Sequence, residues 1–324
     1  MKSFNEITQI VSAEIEKLDW SMQPQGLYDP IAYTLSMGGK RIRPALTLMA
    51  CNLYTDDIQQ AIAPALGIEV FHNFTLLHDD IMDRADIRRG RPTVHKRWDD
   101  NTAILSGDVM QIAAYQLIAQ TPLEYLKPVL DLFSATAREI CEGQQLDVDF
   151  EAIDEVTPDD YLEMIRLKTA VLLACSLKTG ALIGGANIVD ANELYEFGLN
   201  MGLAFQLKDD LLDVYGNEAT FGKKIGGDIL CNKKTYLLIH ALKLAKGADF
   251  EELSNYLKKS YEQPDEKIAQ VTKMYNKLKV KKICEDKMMF YFDMAVANLE
   301  KLQLDSTKKH ELRKLAEKLM SRND

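Results

Sequence analysis

The sequence predicts an all-α protein of one domain, and three observations carry the prediction. Apolar residues recur at helical spacing almost throughout the chain. Glycine (17) and proline (9) are scarce among 324 residues, and where they cluster they separate long amphipathic stretches. No run shows the sustained two-residue alternation of a strand.

Taken in order, periodic segments cover residues 4–18, then 41–54 after the breaker Gly38-Gly39, then 60–84, which ends ahead of Gly90-Arg91-Pro92. Helices are expected over 101–119, closed by Thr121-Pro122, and over 124–146. The next, 158–178, opens at Thr157-Pro158 with Thr as N-cap and Pro at N1; Gly184-Gly185 follows it. Residues 190–215 form a long helix, and 233–245 follows Gly226-Gly227. The series ends with 249–260 up to Gln263-Pro264, then 265–300 and 305–321. The length alone would allow two ordinary domains, but no linker or low-complexity tract divides residues 1–324.

An aspartate pattern occurs twice inside these helices: Asp79-Asp80-Ile81-Met82-Asp83 and Asp209-Asp210-Leu211-Leu212-Asp213. On a helix, residues four apart share a face, so Asp79 pairs with Asp83 and Asp209 with Asp213. Both clusters fall near a helix C-terminus, where the backbone's partial negative charge disfavours acids. A cation is expected to supply what the helix does not. Other adjacent acids lack this setting: Asp56-Asp57 and Asp99-Asp100 have no third acid, and Asp159-Asp160 belongs to the helix start at Thr157.

Acids that hold a hard cation such as Mg²⁺ leave positions for substrate phosphates, so basic groups are expected nearby. Candidates are Lys40 and Arg43, expected to share a helical face, then Arg88 and Arg89 after the first cluster. Lys223 and Lys233 follow the second cluster. No Walker loop is present, which weakens an NTPase reading. The net charge of −10 argues against nucleic acid as partner. Five scattered cysteines without a C-x-x-C pair suggest a reducing, cytoplasmic setting. The most apolar stretch, near 169–189, is interrupted by Lys178 and Gly184-Gly185 and reads as buried helix, not as a membrane span.

With these motifs in order, the chain resembles the trans-isoprenyl diphosphate synthases, or polyprenyl synthetases, over almost its whole length. The matching residues run from Gly38-Gly39-Lys40-Arg41-Ile42-Arg43-Pro44 through His72, the first cluster with Arg88-Arg89-Gly90, Gly107-Asp108, Gly143-Gln144 and Lys168-Thr169. Gln206 with the second cluster, Gly222-Lys223 and Lys233 complete them. The resemblance implies a bundle of long antiparallel helices around a central active-site cavity, and a homodimer. It implies that Asp79, Asp83 and Asp209 ligate Mg²⁺ (Mn²⁺ as substitute), supported by Asp80, Asp210 and Asp213. Arg88, Lys168, Gln206, Lys223 and Lys233 would contact an allylic diphosphate; Lys40, Arg43, His72 and Arg89 would hold isopentenyl diphosphate. The implied reaction is ionisation, condensation and elimination, with Lys168, Thr169 and Gln206 beside the reacting carbons. Two positions depart from the family pattern: Asn232 stands where glycine is usual, and Leu238 lies where proline is frequent.

Product length is expected to depend on the helix that carries the first cluster. Phe74 and Phe71 lie about 7.5 Å and about 12 Å below Asp79 at helical rise. In the family an aromatic at the Phe74 position resembles a floor that stops elongation, while Phe71 reads as core. Thr75 is small where one farnesyl-producing subtype has a second aromatic. The expected product is about C15 to C20, leaning to geranylgeranyl. The alternatives are a class I terpene cyclase of the same fold or a longer-chain synthase. A cyclase does not need Lys40, Arg43, His72 and Arg89. A non-catalytic subunit tends to lose the aspartates.

Overall fold

The computed structural model describes residues 1–153, 155–217, 225–258 and 264–321. It is all-α apart from one short hairpin. The first part holds α1 (Phe4–Ile15), α2 (Gln25–Ser36), α3 (Ile42–Asn52), α4 (Gln59–Met82), strands β1 (Ile87–Arg88) and β2 (Arg91–Pro92), α5 (Val94–Arg97) and α6 (Asp100–Ile118). Then come α7 (Leu123–Ala152), α8 (Pro158–Ile165), a π turn (Arg166–Ala170), α9 (Val171–Ile183) and α10 (Ile188–Tyr215). The last are α11 (Gly227–Leu230), α12 (Tyr236–Leu244), α13 (Ala248–Lys258), α14 (Pro264–Lys277), α15 (Val280–Lys301) and α16 (Ser306–Met320).

Local chemistry explains most boundaries. Thr157 caps α8 as its sequence requires: its hydroxyl accepts from the Asp160 amide at 3.1 Å, and the Asp160 carboxylate accepts from the Thr157 amide at 3.0 Å. Three features depart from the sequence expectation. The first is α2, which the periodicity did not indicate. It carries Pro30 in its interior, where proline removes an intrahelical donor, and burial of Ile31, Tyr33 and Leu35 sustains it. Second, the segment expected as one helix over 265–300 is two, because Lys279 takes a left-handed conformation (φ 58°) at the end of α14. Third, the backbone widens into a π turn at 166–170, where the Val171 amide reaches the Arg166 carbonyl.

Packing divides the described chain into two compact units. The first takes in residues 1–135, 175–195 and 302–312. Its core forms where α4 lies along α6 and α3, with Ile68, Phe71, Met110 and Ala114 fully enclosed. The second takes in the described residues of 136–174, 196–301 and 313–324. Its core gathers Tyr161, Leu203, Leu207, Leu237, Val271, Tyr275 and Cys284. Among the described residues no helix is long and apolar enough to cross a membrane.

Candidate active site

The first aspartate cluster occupies the last turn of α4, at the end the sequence indicated. Asp83 is the C-cap residue, and its amide closes on the Asp79 carbonyl at 2.9 Å, so the two acids stand one turn apart. Asp79 is half-buried and Asp83 exposed. Asp80 is turned inward. The Arg88 Nε donates to both its oxygens at 2.8 and 2.9 Å, and Nη2 lies 2.7 Å from Oδ1. Burial raises the Asp80 carboxyl, and Arg88 only partly offsets it. Burial likewise opposes the Arg88 charge, yet Asp80 and Asp79 hold that guanidinium above the usual range. Gly107 explains its own motif, because α6 meets α4 there. A Cβ at Gly107 would fall 2.3 Å from the His78 Nε2, so glycine makes room there for the His78 ring in its present pose.

Arg88 and Arg89 are presented by the β-hairpin. Ile87 pairs with Pro92 and Arg88 with Arg91, leaving Arg89-Gly90 as a two-residue turn with both φ positive (53° and 74°). That is the I′ geometry, and Arg89 adopts it without being glycine. The hairpin is fastened to α2 by Tyr33. The Tyr33 hydroxyl donates to the Pro92 carbonyl at 2.8 Å, and the Arg91 and Arg97 guanidiniums each lie 4.3 Å from its ring centroid.

A basic group forms beside it. Arg89 donates through Nη1 to the Gly38 carbonyl. The Arg43 Nη1 lies 3.0 Å from the His72 Nε2. A guanidinium can only donate, so Nε2 accepts and the neutral ring carries its proton on Nδ1. Burial first, then Arg43, Arg89, Arg88 and Arg41, hold His72 well below its ordinary value of 6.5. Burial also lowers Arg43, to about 10, with Arg89 adding to the effect against Glu69. Lys40 corrects an expectation. It does not share a helical face with Arg43, because α3 begins only at Ile42, after Gly38 (φ 75°), Gly39 (φ 135°) and a left-handed Arg41 (φ 49°). Lys40 sits exposed in that loop. Arg41 is buried against Glu69 at 2.5 Å and donates to the Leu35 carbonyl at 2.7 Å. It pins the loop that carries Lys40.

Below the first cluster, Phe74 packs edge-on against His78 at 4.8 Å and tilted against Phe71 at 5.3 Å. Phe71 is fully buried and continues the stack to Phe133 (5.1 Å), which meets Tyr115 (5.0 Å). Phe71 is thus packed within the core of this unit. Thr75 donates its hydroxyl to the His72 carbonyl at 2.8 Å and remains half-buried.

The second cluster lies in the last two turns of α10. Asp210 is buried. The Tyr161 hydroxyl donates to its Oδ2 at 2.5 Å, and the Gln206 amide to its Oδ1 at 3.4 Å. The Gln206 carbonyl oxygen in turn accepts from the Thr169 hydroxyl at 3.4 Å. Burial, then Asp228, pushes the Asp210 carboxyl up to about 8 against the pull of Tyr161 and Lys233. Asp213 holds the segment that begins α11: its carbonyl accepts from the Gly226 amide at 2.6 Å and its carboxylate from the Asp228 amide at 3.1 Å.

Lys168 and Lys233 meet on one carboxylate, Asp147, at 2.6 and 3.6 Å from Oδ2. Burial would raise Asp147, but Lys233 and Lys168 hold it below the usual range. Lys168 lies in the π turn, and Gly143 makes room for it. A Cβ there would fall 2.4 Å from the Lys168 amide nitrogen. Asn232 adopts φ 55°, a conformation that asparagine tolerates better than most residues, so it can stand where glycine is usual. At Leu238 the backbone amide caps onto the Thr235 hydroxyl at 3.4 Å, a bond proline could not make. Lys223 lies outside the described residues. Among the described residues no three His, Cys, Asp or Glu side chains form a preformed metal cage.

Sequence reasoning missed Arg41, Glu69, Asp147 and Tyr161. Asp147 alone carried a signal, four residues after Gly143 on one helix face.

The polyprenyl synthetase family model matches residues 24–278. A geranylgeranyl diphosphate synthase of Methanosarcina mazei is 43% identical over 234 residues, 71% of this chain and 72% of the relative. A geranylfarnesyl diphosphate synthase of Natronomonas pharaonis is 39% identical over 266 residues, 76% of this chain and 77% of the relative. The solved geranylgeranyl pyrophosphate synthetase from Pyrococcus horikoshii Ot3 matches with a TM-score of 0.92 at 33% identity, covering 98% of each chain. With two aspartate clusters at helix ends, paired basic groups and a family match over most of its length, this chain belongs to the polyprenyl synthetase family.

Proposed function

We propose that this trans-prenyltransferase condenses isopentenyl diphosphate with an allylic diphosphate (dimethylallyl, geranyl or farnesyl) in a Mg²⁺-dependent reaction, giving a trans-prenyl diphosphate of about C15 to C20. One observation carries the reading. Both D-D-x-x-D clusters end long helices, and the chain also holds two basic groups, Arg43/His72/Arg89 and Lys168/Lys233. A cyclase would need no group for isopentenyl diphosphate.

The donor chemistry suits a hard cation. Asp79, Asp83 and Asp209 offer carboxylate oxygen, and Asp80, Asp210 and Asp213 stand in supporting positions, held by Arg88, Tyr161 and the Asp228 amide. When bound, Mg²⁺ supplies Lewis-acid stabilisation of charge on pyrophosphate. Lys168 and Lys233 both reach Asp147 and are assigned to the allylic diphosphate. Arg88 and Lys223 are assigned to the same anion. Lys40, Arg43, His72 and Arg89 take isopentenyl diphosphate, with guanidiniums suited to bidentate phosphate contact.

The C1–O bond of the allylic substrate breaks, and its electron pair leaves with pyrophosphate. The isopentenyl double bond then attacks C1, and the adduct loses a proton to pyrophosphate. The Thr169 hydroxyl and the Gln206 carbonyl oxygen provide fixed dipoles beside the cation, and no protein nucleophile takes part. Phe74 is proposed as the floor that limits the tail, and relatives named for geranylgeranyl and geranylfarnesyl products support a short chain.

We extend the proposal to a single functional domain over residues 1–324, a cytoplasmic setting consistent with five free cysteines, and a homodimer. An exposed apolar stripe on α6, Ile104, Leu105 and Ile112, suits a second copy. The assignment is tested by Asp79→Ala and Asp209→Ala. Each is expected to remove several kcal/mol of transition-state stabilisation, seen mainly in kcat. Near-native kcat in either variant would remove that aspartate from the metal site.

A further inference from the structure

We infer that Tyr161 is a positioning residue for the reaction, acting through a hydrogen-bonded chain that runs Tyr161–Asp210–Gln206–Thr169. The inference rests on the proposed roles of Gln206 and Thr169 at the substrate. The chain is built from the sequence upward. The capping box at Thr157 fixes the start of α8, and the Tyr161 amide closes on the Thr157 carbonyl at 3.1 Å. Tyr161 is thereby placed in the first turn of a short, well-anchored helix. Its ring is 2% exposed and packs 6.2 Å from Tyr236, so it has one available pose.

From that pose its hydroxyl donates to Asp210 at 2.5 Å. The other Asp210 oxygen takes the Gln206 amide group, which settles which way the Gln206 side chain points. The Gln206 carbonyl oxygen is left toward Thr169, whose hydroxyl donates to it. Without the Tyr161 hydroxyl, Asp210 has no fixed partner on that side. It can then rotate, and Gln206 loses the acceptor that orients it. The first cluster shows the same arrangement with a different partner: its middle aspartate, Asp80, is held inward by Arg88. In both clusters the middle acid is a strut.

The test is Tyr161→Phe, which keeps the ring and removes only the hydroxyl. The variant should melt as a folded protein, lose about tenfold in kcat, and bind Mn²⁺ with pyrophosphate more weakly by calorimetry. KM for isopentenyl diphosphate should stay within about twofold. A purely structural role would lower the melting temperature and leave kcat and Mn²⁺ binding alone; that result would overturn the inference. A second background guards against a failure to fold. In Asp210→Leu the hydroxyl has nothing to hold, so adding Tyr161→Phe should change kcat no further. A further tenfold loss there would also overturn it. Turnover by the unaltered enzyme in excess chelator would instead contradict the proposed function itself.

Discussion

The ammonium of Lys168 lies 2.6 Å from Oδ2 of Asp147, the same oxygen that faces Lys233 at 3.6 Å. Two cations assigned to one diphosphate thus meet on one half-buried carboxylate. Asp147→Asn would remove the negative charge that both ammoniums reach, and each would then lower the other's pKa. The alkaline limb of kcat/KM for the allylic substrate should move to lower pH by about one unit. An unchanged alkaline limb would show that Asp147 does not hold the pair.

The basic groups should divide by substrate. Lys40→Ala, Arg43→Ala and Arg89→Ala should raise KM for isopentenyl diphosphate more than for the allylic primer. Arg88→Ala and Lys223→Ala should do the reverse. Steady-state kinetics with each substrate varied in turn checks this, and one common profile for all five variants would refute the division.

Glu69 tests the loop that carries Lys40. It is buried against Arg41 at 2.5 Å and also accepts from the Asn73 amide at 3.0 Å. Glu69→Leu strands the Arg41 charge in the interior and should lower stability by about 3–5 kcal/mol in denaturant unfolding. A loss under about 1 kcal/mol would mean that Arg41 finds another partner.

His72 sets a pH dependence. Its folded-state pKa is depressed, chiefly by burial, from an ordinary 6.5. As pH falls through 6.5, the unfolded chain binds a proton that the folded protein refuses, so stability is present above that pH and falls below it. The melting temperature should therefore drop between pH of about 7.5 and about 5.5, and His72→Asn should drop less. An equal drop in both proteins would contradict the assignment.

Phe74 separates two readings in one experiment. If its ring is the floor of the tail site, Phe74→Ala should give longer products and leave the aspartates and bases untouched. If it is only core, the variant loses about 3–5 kcal/mol and makes the same product. Melting and product chain length, measured on one preparation, decide between them. Phe71, fully buried against Phe133, is the next candidate stop.

Much of this was legible in the sequence, for stated reasons. The helix-end position of both aspartate clusters followed from apolar periodicity and the breakers behind them, and the Thr157 cap followed from side-chain chemistry alone. What escaped had no local signal. Pro30 reads as a breaker but sits inside α2, because tertiary burial overrides its penalty. Lys279 ends α14 in a left-handed conformation normally marked by glycine. The misjudged Lys40 arose because a left-handed Arg41 precedes α3, and the Glu69 partner that explains it lies 28 residues away. Tyr161 stood 49 residues from Asp210, a distance no periodicity spans.

The central claim is tested most directly by product analysis. Purified protein is supplied with isopentenyl diphosphate, Mg²⁺ and each allylic primer in turn, and the products are identified by mass. The expected result is pyrophosphate release and a prenyl diphosphate of about C15 to C20, both abolished by excess chelator and restored by Mg²⁺ or Mn²⁺. Hydrocarbon products without incorporation of isopentenyl units, or full turnover in chelator, would contradict it.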